Sequence, residues 1–177
     1  MSAAAIDPLL GDIAKGSMTA MERFYRQHER SVFRYALAQT GDRFDAAEVL
    51  NDVMLEVWRQ AGRFEGRSTV TTWLLGIARF KSLDRLRARQ RHGGEPLDEE
   101  AEDEAPRAEE TMADAQEAHR LRECMGKLPA GQREIMHLAF FEDMGYEAIA
   151  ALVQRPIGTV KSRVYHAKEA IKKCLSR

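Results

Sequence analysis

Lys161, Ser162, Tyr165 and His166 present, along one stretch of chain, a cationic donor, a hydroxyl, an aromatic ring and an imidazole. Such groups read the edges of nucleic-acid bases. Lysine donates to guanine acceptors, serine bonds either way, and a tyrosine ring packs on a thymine methyl. Gly158 and Thr159 stand just before them, small enough to let a phosphate or base edge come close. Arg133, Arg155, Arg163 and Lys168 suit phosphates, which set register without reading sequence. The chemistry implied is recognition, not bond making.

A helix must position these groups. Ile157, Val160, Val164, Ala167 and Ile171 recur at helical spacing and supply its inner face. Ahead of it the pattern predicts a short helix over 146–152 with Ile149, Ala150 and Leu152 inward. A turn follows over 153–155, and Pro156 fits the first turn of the next helix, where a missing N–H costs nothing. Short helix, tight turn and long basic helix make a helix-turn-helix, whose second helix enters the major groove. An ordinary amphipathic helix with a solvated charged side has the same periodicity. The small residues at 158, 159 and 162 favour DNA.

A second chemical group lies at residues 63–91. The loop 62–68 carries Gly62 and Gly66, and a long helix is predicted from about 71 to 91. Aromatic faces beside backbone-binding cations hold unstacked bases of single strands. Arg63, Phe64, Arg67 and Ser68 suit capture of a flipped base, and Trp73 suits the fork where strands part. A core position is the alternative for each aromatic, and the stronger alternative for Phe64. Arg79, Lys81 and Arg85 are spaced to follow a phosphate track, unless one of them pairs with Asp84 or another neighbouring acid.

The net charge of −1 hides this distribution. Residues 95–117 hold eleven acids against one base, Arg107, so the rest of the chain carries +9. Residues 79–91 have six bases and one acid, and residues 120–177 eleven bases and six acids. Two basic modules joined by an acidic segment follow. His92, Gly93, Gly94 and Pro96 break the preceding helix, and 95–110 has few apolar residues to bury. The expected organisation is therefore a domain over 1–92, a flexible acidic linker over 93–117, and a domain over 118–177. The linker is expected to be solvated; a sharper possibility is that it competes with DNA for the basic faces.

Other functions find little support. Cys124 and Cys174 are far apart in sequence and the five histidines are scattered, so no metal site or cofactor is expected and the cysteines read as small apolar or incidental residues. No glycine-rich phosphate loop or nucleophile-base pair suggests an enzyme. No stretch is apolar enough to cross a bilayer, and the start lacks the basic and apolar run of a signal peptide. A cytoplasmic protein is expected.

The N-terminal module reads as helical. Met18, Met21, Phe24 and Tyr25 pattern residues 18–28; Val32, Phe33, Tyr35, Ala36 and Leu37 pattern 31–40, before a break at Gly41-Asp42. Asp45 is expected to cap the next helix, with Glu48 three residues on and a stripe of Val49, Leu50, Val53, Leu55, Val57 and Trp58. No alternating strand pattern occurs. The fold class expected is all-α, two small helical domains, the C-terminal one a helix-turn-helix.

The segment 45–58, Asp-Ala-Ala-Glu-Val-Leu-Asn-Asp-Val-Met-Leu-Glu-Val-Trp, resembles a conserved-type segment of bacterial sigma factors, the subunits that lend RNA polymerase its promoter specificity. Thr72-Trp73-Leu74-Leu75-Gly76-Ile77-Ala78-Arg79 with Leu83-Asp84-Arg85-Leu86-Arg87 is similar to their promoter-melting helix. Leu128-Pro129, Gln132-Arg133-Glu134, Tyr146-Glu147, Ile149-Ala150 and 156–163 resemble their −35-reading helix-turn-helix. Length and order resemble the short extracytoplasmic-function (ECF) class. The resemblance implies that Glu48, Asp52, Leu55, Glu56 and Trp58 dock core RNA polymerase on the clamp helices of its largest subunit. It implies a further contact to the flap region, binding to the −10 and −35 elements of promoter DNA, and an anti-sigma partner. Asn51 and Asp52 stand where relatives often carry Gln and Glu, Ala47 where they carry an acid, and His166 where they often carry Arg.

Overall fold

The computed structural model describes residues 7–91 and 112–176. All regular structure among the described residues is helical, and the chain divides into two compact units, 1–98 and 99–177.

In the first unit α1 (Pro8–Ala14) opens with Pro8 at its first position and Asp7 as its cap, the carboxylate accepting from Leu9 N–H at 2.9 Å. Its short sequence gave no periodic signal, yet Leu10 and Ile13 are buried. Residues 18–28 and 31–40, read as separate patterned segments, form one helix, α2 (Met18–Thr40). Nothing between them stops a helix: Glu29 and Arg30 are good helix formers and carry the chain through. Gly41 in the left-handed region (φ 67°) ends it, its N–H returning to Leu37 C=O at 2.8 Å. That turn leaves Asp42 extended, so the cap of α3 (Arg43–Gln60) is Asp42 and not Asp45. The Asp42 carboxylate accepts from Asp45 N–H at 2.7 Å. After a 3₁₀ turn, Ala61–Arg63, and a loop, Thr69 Oγ1 accepts from Thr72 N–H at 3.1 Å at the start of α4 (Val70–Arg91). The core is built by Phe24, Val32, Tyr35 and Ala36 of α2, Ala46, Val49, Val53 and Val57 of α3, and Leu74, Leu75 and Ala78 of α4.

The second unit contains α5 (Met112–Gly126), α6 (Ala130–Phe140), α7 (Tyr146–Val153) and α8 (Ile157–Leu175). Of the linker expected over 93–117, residues 112–117 instead begin α5, while 93–111 lie outside the described residues, as does any competition of that segment for DNA. Leu128, Ile135, Leu138, Ile149, Val153, Val160, Val164 and Ala167 close the core. Val153, not Leu152, is the second buried anchor of α7, because the helix runs one residue further than its periodicity suggested. Gln154 then adopts a left-handed conformation (φ 53°), Arg155 N–H bonds Ala150 C=O at 3.0 Å, and Pro156 sits at the cap of α8, one position earlier than expected.

The cysteines correct the sequence-based expectation outright. Cys124 on α5 and Cys174 on α8 are disulfide-bonded, their Cα atoms 5.9 Å apart across a separation of 50 residues. Spacing along the chain could not reveal this, since only the packing of α5 against α8 brings the two thiols together.

Candidate nucleic-acid interfaces

In the second unit Val160, Val164, Ala167 and Ile171 of the inner stripe of α8 are buried and Ile157 is half-buried, which turns the opposite side outward. Lys161, Ser162, Tyr165, His166 and Lys168 are exposed, Tyr165 at 63% of its surface. The Tyr165 and His166 rings meet edge to face at 5.4 Å, so the two aromatic groups stand together. Gly158 is exposed, and a Cβ there would meet nothing within 4 Å. The fold itself places no demand for glycine at that site. Thr159 is half-buried beside it and Arg155 is exposed at the turn.

Two expected phosphate clamps face the protein instead. Arg133 donates to Gly126 C=O at 3.0 Å, satisfying a carbonyl at the C-terminus of α5. Arg163 lies over the first turn of α6, its Nη1 2.7 Å from where a Gly131 Cβ would stand. A Cβ at Gly131 would require the end of the Arg163 side chain to shift. Arg120 donates to Leu175 C=O at 2.7 Å, so α5 also caps the end of α8. Lys168 Nζ stands 5.0 Å from the Phe140 ring centroid, a cation–π contact that leaves the lysine on the surface. Phe140 and Phe141 are exposed apolar groups that the sequence did not single out.

In the first unit Phe64 and Trp73 are both half-buried and pack on each other, ring centroids 5.1 Å apart. Neither is a core residue. Arg63 is exposed, Arg67 pairs with Glu65, and Ser68 Oγ donates to Thr69 C=O at 3.2 Å. Arg79 and Lys81 are half-buried on α4. Phe80, passed over in the sequence, is 61% exposed opposite the buried Ala78 and Ser82 and two turns along from Trp73. Phe44 is likewise exposed at the start of α3. Burial is the one signal that marks such residues, and periodicity on a helix this basic does not supply it.

Arg85 departs from the expected phosphate track. Its guanidinium lies 3.1 Å from Glu48, 3.6 Å from Asp45 and 3.7 Å from Asp52, all on α3. Arg89 reaches Asp42 at 3.5 Å and also Asp45 at 2.5 Å. Glu48, Asp52 and Glu56 are half-buried, whereas Leu55 is 52% and Trp58 37% exposed on the same helix. Gln60 hydrogen-bonds Glu56. An apolar pair beside an acidic row is left facing outward from α3.

The model of sigma-70 region 2 matches residues 24–92, and that of sigma-70 region 4 matches residues 118–171; together they span more than half of the chain. The chain belongs to the sigma-70 family, in its ECF class. An ECF RNA polymerase sigma factor SigK from Mycolicibacterium vanbaalenii is 28% identical over 180 residues, covering 97% of this chain and 90% of the relative. The SigK of Mycobacterium tuberculosis strain H37Ra is 27% identical over 175 residues, covering 96% and 93%. Among solved structures, RpoE bound to the anti-sigma factor NepR from Bartonella quintana superposes with a TM-score of 0.69 at 24% identity, covering 88% of this chain and 98% of that one. CnrH bound to the cytosolic domain of CnrY gives 0.67 at 21% identity, covering 95% of each chain. As a sigma factor this protein serves transcription initiation. The region 2 match contains α3 and α4, and the region 4 match contains α6, α7 and α8 as far as Ile171.

Proposed function

We propose that this sigma factor docks core RNA polymerase through the outward face of α3, engages the −10 element with the loop 63–68 and α4, and reads the −35 element with α8. The observation that carries this reading is the outward face of α8, where base-reading side chains are exposed opposite the buried Val160, Val164, Ala167 and Ile171. Lys161, Ser162, Tyr165 and His166 read bases; Arg155 and Lys168 contact phosphates; Gly158 and Thr159 give the backbone room to approach. Arg133 and Arg163 support this surface by holding α5 and α6 in place, and they reach phosphates only if their internal contacts are exchanged. On the first unit, Phe64 and Trp73 form one aromatic platform for an unstacked base, flanked by Arg63, Arg67, Ser68, Arg79 and Lys81. Leu55 and Trp58 supply the apolar part of the docking face, with Glu48, Asp52 and Glu56 as its acidic part.

Among the described residues no helix is long and apolar enough to cross a membrane, in keeping with a cytoplasmic site of action beside the polymerase. Control by an anti-sigma factor belongs to the same proposal, supported by the two superposable neighbours, each solved with such a partner or a partner's cytosolic domain. Transcription of a genomic DNA pool by bacterial core polymerase, with and without this chain, tests the whole. New start sites sharing −10 and −35 sequences are expected. Failure to associate with core polymerase in the absence of any inhibitor overturns it in favour of a repressor or activator acting on duplex DNA alone.

A further inference from the structure

Asp42, Asp45, Glu48 and Asp52 follow one another at three- and four-residue intervals along a single stripe of α3. Like charges at those spacings repel and drive their side chains apart. Two guanidiniums from α4 lie against the stripe. Arg89 joins Asp42 and Asp45, and Arg85 stands within 4 Å of Asp45, Glu48 and Asp52. Two guanidiniums among four carboxylates offset this repulsion and hold the members of the stripe at fixed separation. The Arg85 side chain is only 29% exposed. Reaching outward to a phosphate would leave Glu48 and Asp52 without their guanidinium and Asp45 with Arg89 alone.

We propose that Arg85 is a positioning residue for polymerase docking: it sets Glu48 and Asp52 in the geometry that core polymerase receives, and it makes no phosphate contact. This rests on the docking role given to α3 above. The positive charge at position 85 is what draws these carboxylates into place; the arginine fork meets several of them together, and a lysine supplies the same charge to fewer at a time. Arg85 therefore ties the helix that docks polymerase to the helix proposed to hold the melted strand.

The test uses the full chain and purified bacterial core polymerase. Core affinity is measured for wild type, Arg85→Ala and Arg85→Lys, and the salt slope of holoenzyme binding to a pre-melted fork promoter is measured for each. Arg85→Ala is expected to weaken core binding about tenfold, the size of a contact-pair coupling, and Arg85→Lys to restore a large part of it. The salt slope is expected to stay unchanged. In a Glu48→Gln/Asp52→Asn background, Arg85→Ala should cost nothing further. Unaltered core affinity with a slope smaller by about one unit would make Arg85 a phosphate contact and overturn the proposal. Equal losses for Arg85→Ala and Arg85→Lys, together with a lowered melting temperature, would reduce Arg85 to a structural residue and overturn it too. A wild-type chain that does not bind core polymerase refutes the docking reading itself, before any variant is compared.

Discussion

In the first unit the basic helix α4 folds Arg85 and Arg89 onto carboxylates of α3, whereas in the second unit α8 leaves Lys161, Ser162, Tyr165 and His166 exposed. Both helices are rich in cations, yet the cations have different employment. On α4 several are tied up within the protein; on α8 the tie is made elsewhere, by the disulfide to α5 and by Arg120 at the last turn. Charge in a sequence is therefore not the same quantity as charge available to a ligand. Ion pairing takes Arg85 and Arg89 of α4 into the protein's own packing, whereas on α8 Arg163 lies over α6 and Lys161 stays exposed.

The covalent side of this contrast yields the largest effect. The bond closes a segment of 50 residues, for which chain entropy alone corresponds to roughly 4 kcal/mol. Reduction, or Cys124→Ala with Cys174→Ala, should lower the unfolding midpoint of the second unit sharply. Both tryptophans, Trp58 and Trp73, lie in the first unit, so their fluorescence transition reports that unit separately and should not move. A shift of the tryptophan transition on reduction would mean that the units do not melt independently.

Next in size is the outward face of α8. Lys161→Ala should cost about 1–3 kcal/mol of discrimination between matched and scrambled −35 sites, while Lys168→Ala should weaken both alike and reduce the salt slope by about one unit. Equal losses on the two sites for Lys161→Ala would show that this face, too, only holds phosphates.

The ion-paired side offers a smaller probe. Asp42 is buried, caps α3 and pairs with Arg89. Asp42→Ala should destabilise the first unit by about 1–2 kcal/mol in urea unfolding followed by tryptophan emission. A loss no larger than that of an exposed acid such as Asp84 would show that the α3 cap contributes little.

His28, buried against Phe24 with its Nε2 unpartnered among the described residues, sharpens the contrast by pH. Burial pushes its pKa below the ordinary histidine value, and the charge of Asp7 opposes this only in part. The unfolded chain thus takes up the proton first as pH falls through about 6.5. Stability contributed by His28 is complete above that pH and declines below it. The tryptophan transition should move down between neutral and mildly acidic pH, and a His28→Leu variant should show a flatter profile. The smallest effect is expected at Gly131, where alanine displaces only the flexible end of Arg163. Stability should change by less than about 1 kcal/mol, measured by thermal unfolding of the second unit.

Much of this molecule was readable beforehand wherever a local pattern carried it. The α8 stripe, the helix after the 62–68 loop and the turn before Pro156 follow from periodicity and from residues with strong backbone preferences. Contacts with partners distant in sequence were not legible. Arg85 reads as a phosphate contact or as the partner of a neighbouring acid, and the fold sets it beside Glu48 and Asp52, 37 and 33 residues earlier in the chain. Arg163 reads as a clamp, and the fold lays it over Gly131. The cap of α3 moved from Asp45 to Asp42 because the left-handed Gly41 sets the backbone of its neighbour, a local effect that the capping pattern alone did not weigh.

From the amino-acid order alone came the helical class, the two basic modules and the helix-turn-helix, because helix periodicity and turn chemistry act over a few residues. Tertiary structure decided which cations face outward, which aromatic groups meet, and that Cys124 and Cys174 are bonded. Those outcomes depend on which helix faces pack together, and electrostatic and covalent pairing both require a proximity that chain spacing does not encode.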